Sequence, residues 1–251
     1  MGQQKGALKI KGTLGDITFA KTKNGYIVKT KSEISKDKLD HAKEFEKFRH
    51  NKSEFARCGI AVKLVRDAFK DLVAYGKDST LSQRMQKLMM EAAKTDPVSE
   101  RGMRSPEKGN IHLLQGFEFN ARAEWNRSIR VSFLTALDRV TGKFSLTLPG
   151  FTPQQVVTPP EGSNRFRIVC ACSEVDIAAH TQKTVMVQTG LLPIDSTALA
   201  PTVIQDSVTP NSDKLLFLVV GIQFAQEMNG FEYPDTGGEF NVLTLETVDN
   251  P

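Results

Sequence analysis

The sequence predicts an α+β fold in three parts: an N-terminal β-hairpin arm (1–34), a small helical module with an exposed loop (35–110) and a C-terminal antiparallel β-sandwich (111–251). Three observations predict it. Asn24-Gly25 separates two runs of alternating apolar and polar residues; apolar residues recur at spacings of three and four between Phe55 and Ala92; and from Ser128 onward short apolar runs are punctuated by Gly, Pro, Asn and Asp.

The arm opens with Ala7-Leu8-Lys9-Ile10-Lys11, which alternates as a strand, followed by a turn at Gly12–Asp16. Ile17–Lys21 and Tyr26–Thr30 then flank Asn24-Gly25, the pair a type I′ turn favours because both central residues need positive φ. Lys9, Lys11, Lys21, Lys23, Lys29 and Lys31 are expected along one face or edge, with Phe19 and Tyr26 available for stacking. So small a ribbon buries too little to stand alone, and must pack on the rest of the chain or pair with another.

In the helical module, Asn51 or Ser53 can cap a helix whose Phe55, Cys58, Val62, Val65, Phe69 and Leu72 form one buried stripe, with Lys63, Arg66 and Lys70 on the polar side. Leu39–Phe48 suits a shorter helix with Phe45 and Phe48 inward. Ser79 or Thr80 can cap another, with Leu81, Met85, Leu88, Met89 and Ala92 inward and Pro97 blocking continuation. Residues 96–110, rich in Gly, Pro, Ser and charge, read as an exposed hinge loop. The pattern from Ile111 to Trp125 does not discriminate between element types. Strands follow at Ser128–Leu134, Phe144–Leu148, Phe166–Cys172, Thr184–Thr189, Leu215–Phe224 and Phe240–Thr247.

The net charge of +4 hides an asymmetry. Residues 1–130 hold 27 of the 33 Lys and Arg and 16 of the 29 Asp and Glu, a net +11, which leaves −7 on residues 131–251. That split suits either a polyanionic partner or head-to-tail attraction between copies. No run approaches the roughly 18 apolar residues of a membrane span, and Met1–Ala7 has no signal-like apolar stretch, so a cytoplasmic protein without a membrane partner is expected. Cys58, Cys170 and Cys172, an odd number without a CxxC pair, fit a reducing compartment.

Catalytic and metal-binding patterns are sparse, and neither an enzyme nor a cofactor is expected. His41, His50, His112 and His180 form no HExxH or HxxxH pair, and nucleophile-elbow, P-loop and dinucleotide motifs are missing. Cys170 and Cys172 share one strand face as buried apolar residues. Glu174 and Asp176 also share a face, on the solvent rim where the strand ends.

Four stretches together resemble a group of Bacteroidota proteins: Lys11–Phe19 (KGTLGDITF), Glu54–Gly59 (EFARCG), Lys63–Phe69 (KLVRDAF) and Leu114–Asn120 (LQGFEFN), with Arg101-Gly102-Met103-Arg104 also matching. Some members of that group resemble the cytoplasmic fibril protein of filamentous gliding bacteria, and the resemblance implies a self-assembling structural role. The expected function is homomeric assembly into a filament or ordered array. Its interface would be Leu8, Lys9, Ile10, Lys11, Ile17, Phe19, Lys21, Tyr26, Val28 and Lys29, and its partner another copy of the chain. Nucleic acid binding through the basic half is the second expectation, weakened by the excess of lysine over arginine.

Overall fold

The computed structural model describes residues 2–6, 8–30, 34–76, 78–235 and 240–251. Met1, Ala7, Lys31, Ser32 and Glu33 of the expected arm lie outside the described residues. The chain separates into two compact units, Met1–Asn51 and Lys52–Pro251.

The first unit holds a four-stranded antiparallel sheet in the order β1-β4-β3-β2: β1 (Gly2–Gln3), β2 (Gly12–Leu14), β3 (Ile17–Thr22) and β4 (Gly25–Thr30). Residues 8–11 of the expected strand at 7–11 form none. Instead, the Gln4 side chain holds Ile10 as a strand partner would, its Oε1 accepting from Ile10 N at 3.0 Å and its Nε2 donating to Ile10 O at 3.2 Å. The strand starts at Gly12, within the expected turn, and the two-residue loop that follows is Gly15-Asp16. Gly15 there takes φ +56°, the positive first position of a type II′ turn. The β3–β4 hairpin is present with a different turn. Thr22 pairs with Gly25, so Lys23-Asn24 is the loop and positive φ falls on Gly25 (+112°) rather than on an Asn-Gly centre.

Helix α1 (Lys36–His41) follows, capped by Ser35, whose Oγ accepts from Lys38 N at 3.1 Å. Arg49 donates to two carbonyls at its end, Leu39 O (3.1 Å) and Ala42 O (2.8 Å), the second of which also accepts from Phe45 N at 3.1 Å. A 3-10 turn at Lys43–Phe45 replaces the expected helix over 39–48, and α2 (Glu46–Ala68) begins before the expected caps at Asn51 and Ser53.

In the second unit α2 buries Cys58, Val62 and Val65 as its spacing requires. The helical path breaks at Phe69 (φ −113°), where Thr184 Oγ1 donates to Ala68 O at 2.8 Å, and resumes as α3 (Lys70–Val73). Thr80 is the N-cap of α4 (Leu81–Lys94), which buries Leu81, Met85, Met89, Ala92 and Ala93. No side chain caps its first turn; Asp78 instead holds the cap residue, accepting from Thr80 N and Oγ1, each at 2.7 Å.

A seven-stranded antiparallel sheet runs β10-β8-β12-β14-β5, with β9 also on β8 and β13 also on β12. Its strands are β5 (Phe117–Glu118), β8 (Arg165–Asp176), β9 (Thr181–Gln188), β10 (Leu192–Pro193), β12 (Leu215–Met228), β13 (Phe231–Pro234) and β14 (Val242–Asp249). A second sheet, β11-β7-β6, is formed by β6 (Leu134–Leu137), β7 (Lys143–Leu148) and β11 (Thr202–Ser207). Single turns α5 (Trp125–Ser128) and α6 (Pro153–Val156) lie in the connections, and α5 stands where the expected Ser128–Leu134 strand was to begin.

Period-two alternation assigns the faces. Leu216, Leu218, Val220 and Ile222 of β12, with Ile168, Cys170 and Cys172 of β8, share a buried cluster with Phe144, Leu146 and Leu148 of the second sheet. Phe217 and Val219, with Val169, Ala171 and Val175, share another with Val65, Phe69, Met85 and Met89. The central sheet therefore carries a sheet on one face and helices on the other, which is why β8 and β12 read as continuous apolar runs. This α+β unit joins the expected helical module and sandwich through one core, so the boundaries at 34/35 and 110/111 are not those of the two units. Residues 96–110 are likewise no hinge. Buried Asp96 accepts from the N–H groups of Val98 (2.9 Å), Ser99 (3.0 Å) and Ser105 (3.1 Å) and fixes the loop. Burial pushes its carboxyl up, but those bonds and one from the Ser99 hydroxyl outweigh it and hold the group at about 2.

Candidate assembly interface: the N-terminal sheet

Cross-strand register sorts the arm's side chains. Gly12 faces Phe19, Leu14 faces Ile17, Phe19 faces Val28 and Lys21 faces Tyr26, so Leu14, Ile17, Phe19, Tyr26 and Val28 lie on one face of the sheet. Thr13, Thr18, Ala20, Ile27 and Lys29 lie on the other.

This overturns the expected lysine face. Lys21 sits at the end of the apolar face, Lys29 on the opposite one, and Lys9 and Lys11 outside any strand. Lys31 lies outside the described residues. Lys9 and Lys21 converge instead on Tyr26, with their Nζ atoms 6.0 and 5.8 Å from its ring centroid.

Among the described residues of 1–51, none is buried. Leu8 is 87 % exposed and Leu14 77 %, Ile10 and Ile17 are exposed, and Phe19, Tyr26 and Val28 are only partly covered. Of the ten expected interface residues, Ile17, Phe19, Lys21, Tyr26 and Val28 come together on one face; Leu8, Lys9, Ile10 and Lys11 lie in the preceding segment. Leu14 belongs to the face and was missed, because the Gly12–Asp16 stretch reads as a turn when its pairing to β3 is unknown.

The cysteines and the acidic residues singled out from the sequence are built into the second unit. Cys170 and Cys172 are buried on one strand face, as their spacing implies, and burial pushes both thiols up to about 12. Cys58 is pushed up to about 11, first by burial and then by the Glu54 carboxylate. Glu174 departs from its expected solvent rim: it is buried, and accepts from Thr209 Oγ1 at 2.9 Å and from Thr209 N at 3.4 Å. A pair the sequence did not suggest is Glu118 and Glu246. Glu118 accepts from Thr244 Oγ1 at 2.7 Å; burial first, then the Glu246 and Glu124 charges, push its carboxyl up to about 7 against the pull of the Thr244 bond and Arg84. Burial also raises Glu246. The signal was the alternation Thr244-Leu245-Glu246, which puts both polar side chains on one face. Among the described residues no group of three or more His, Cys, Asp and Glu is arranged to hold a metal ion, and no helix is long and apolar enough to cross a membrane.

Comparison with family models, with curated proteins and with solved structures returned no match.

Proposed function

We propose that the protein is a non-enzymatic structural component that assembles with copies of itself into a filament or array, with the N-terminal sheet docking on a neighbouring copy. One observation carries this reading: the sheet collects Leu14, Ile17, Phe19, Tyr26 and Val28 on one face, and no described residue of its unit is buried. A ribbon of this size with an apolar face gains stability when that face is covered, by about 1.5–3 kcal/mol for each large apolar side chain taken fully out of water. The opposite charges of the two halves of the chain, +11 and −7, favour a head-to-tail neighbour, and a heterologous contact of that kind propagates. The resemblance to a group of which some members resemble a cytoplasmic fibril protein points the same way, and the assembly would be cytoplasmic.

Negative-stain microscopy of the full-length chain tests the reading. Polymers are expected, and are expected to vanish when Ile17→Lys and Val28→Lys put charge on the apolar face while leaving the backbone pairing intact, and likewise when residues 1–34 are removed. Monodisperse monomers for the unaltered chain would rule assembly out. A second reading, nucleic acid binding, is favoured by the two ammonium groups beside the Tyr26 ring, an arrangement that suits a stacked base and its phosphate. Anisotropy of a labelled single strand should then show affinity that falls steeply with salt; no binding at low salt would eliminate it.

A further inference from the structure

The chain contains two Asn-Gly pairs, and the fold holds them differently. Asn24 is the second residue of the Lys23-Asn24 loop. The glycine after it, Gly25, is a strand residue paired with Thr22, whose Oγ1 also donates to Gly25 O at 2.9 Å. Asn229 and Gly230 are instead the two loop residues of the β12–β13 hairpin, closed by the pairing of Met228 with Phe231. Both are exposed, and among the described residues neither the Asn229 side chain nor the Gly230 N–H makes a hydrogen bond.

An asparagine side chain can react with the backbone nitrogen of the next residue when Cβ and that nitrogen eclipse about the Cα–C bond. In an L-residue this is a ψ of about −120°, the value at the first position of a type II′ turn. Asn229 (φ +53°) and Gly230 (φ +79°) form a type I′ turn, and the first φ is about +60° in both turn types. Turning over the single peptide plane between Asn229 and Gly230 converts one turn into the other. It takes the Asn229 ψ from about +30° to about −120° and the Gly230 φ from positive to about −80°. Glycine accepts both signs of φ, so Met228 and Phe231 can stay paired while the plane turns.

The other asparagines in comparable places lack this freedom. At Asn24 the same flip would redirect the nitrogen of Gly25 and break its pairing with Thr22. Asn211 also has positive φ (+50°), but the residue after it is Ser212, which is buried and whose Oγ accepts from Lys214 N at 3.3 Å.

We propose that Asn229 is a site of spontaneous deamidation through a succinimide formed with Gly230. The Gly230 nitrogen gives up its proton to solvent and attacks Asn229 Cγ. The bond from Cγ to the side-chain nitrogen breaks, and that nitrogen takes a proton and leaves as ammonia. Water then adds to one of the two ring carbonyls and opens the ring, leaving either aspartate or isoaspartate; nothing is oxidised or reduced. Either product places a carboxylate at a tip where Glu227 and Glu232 already face each other, holding Arg165 at 2.7 Å and Arg167. Aspartate keeps the backbone and tolerates positive φ. Isoaspartate adds a methylene to the main chain, which a two-residue loop with a fixed register does not accommodate, so this product loosens the Met228–Phe231 pairing. The chemistry is intramolecular and does not depend on assembly.

The test incubates the full-length chain at neutral and at mildly alkaline pH and follows both Asn-Gly peptides by mass spectrometry. The peptide holding Asn229 should gain the mass of an NH2-to-OH exchange and split into aspartate and isoaspartate forms, faster at the higher pH because the attacking nitrogen must lose its proton. The peptide holding Asn24 should convert at least roughly tenfold more slowly. In urea, where the fold no longer distinguishes them, the two rates should converge. Asn229→Gln, whose longer side chain must close a six-membered ring, should abolish the conversion at the tip while Asn24 continues at its own rate. Equal rates at the two sites in the folded chain, a faster Asn24, or a folded chain in which Asn229 stays intact while the chain in urea converts would overturn the proposal.

Discussion

The carboxylate of Glu54 accepts a hydrogen bond from the backbone N–H of Gly102 at 2.7 Å, joining α2 to a loop 48 positions further along the chain. Glu54 is only 4 % exposed, and Gly102 takes φ +91°, a conformation that side chains resist. One turn along the helix Arg57 donates to Gly102 O (3.0 Å) and Arg104 O (2.9 Å). Glu54→Ala leaves a buried N–H without its acceptor and should cost about 1–3 kcal/mol. Gly102→Ala introduces strain of about 1–2 kcal/mol. Because both changes loosen the same contact, the double variant should lose less than the two single losses combined. Urea denaturation of the three variants checks this, and strict additivity would show that the contact is not shared.

Arg139 ties the end of β14 to the rest of the second unit. Its Nε donates to Asp249 Oδ2 at 2.7 Å, and its guanidinium also reaches Asp249 O at 2.8 Å and Lys214 O at 2.9 Å. Several donors in one fixed fork make this a task for arginine rather than lysine. Arg139→Ala and Arg139→Lys should therefore destabilise to similar extents, by about 2–3 kcal/mol. Hydrogen exchange should show the increase concentrated in β14; full rescue by lysine would show that charge alone matters.

Local signals in the sequence are legible where neighbours in the chain decide the outcome. Cys58, Val62 and Val65 are buried by helical spacing, and Cys170 and Cys172 share a face by strand spacing. Asn24-Gly25 shows the limit of a dipeptide. The chain has the same pair at Asn229-Gly230, and there both residues take positive φ in a type I′ turn, whereas at 24–25 pairing of Phe19 with Val28 shifts the loop to Lys23-Asn24. Period alone places Phe55 in the core, but it is 57 % exposed, because whether a position on a stripe is covered depends on what α4 brings beside it. Glu174 and residues 96–110 failed for the same reason. A polar or charged residue looks exposed in sequence, and its burial depends on partners such as Thr209, 35 positions away. The assembly face was partly legible: alternation gave Ile17, Phe19, Tyr26 and Val28, while the register that adds Leu14 and removes Lys29 is a pairing property.

The buried thiols make a chemical prediction. With Cys170 and Cys172 pushed up to about 12 and Cys58 to about 11, no appreciable thiolate forms near neutral pH. Iodoacetamide should leave all three unmodified in the folded chain and alkylate all three in urea, read by intact mass. Rapid labelling of Cys170 under native conditions would show that the two-sheet core opens.

Glu118 should make the fold less stable as pH rises. Its carboxyl is pushed up from an ordinary value of 4.5 to about 7, so the folded chain holds that proton more tightly than the unfolded chain does. The stabilisation from holding it is complete below about pH 4.5 and is lost as pH rises through 7, because above that point the folded chain must carry a half-buried charge beside Glu246. Discounted for the part of the side chain that solvent screens, the loss is about 1–2 kcal/mol. Glu118→Gln keeps a partner for Thr244 and removes the titration. Its stability should match that of the unaltered chain near pH 5 and exceed it by about that amount near pH 8. Glu246 is raised by burial as well, with the same sign, so Glu246→Gln should remove a further share of the slope. Urea midpoints at the two pH values decide it: if the unaltered chain and Glu118→Gln lose stability in parallel, the proton is held elsewhere.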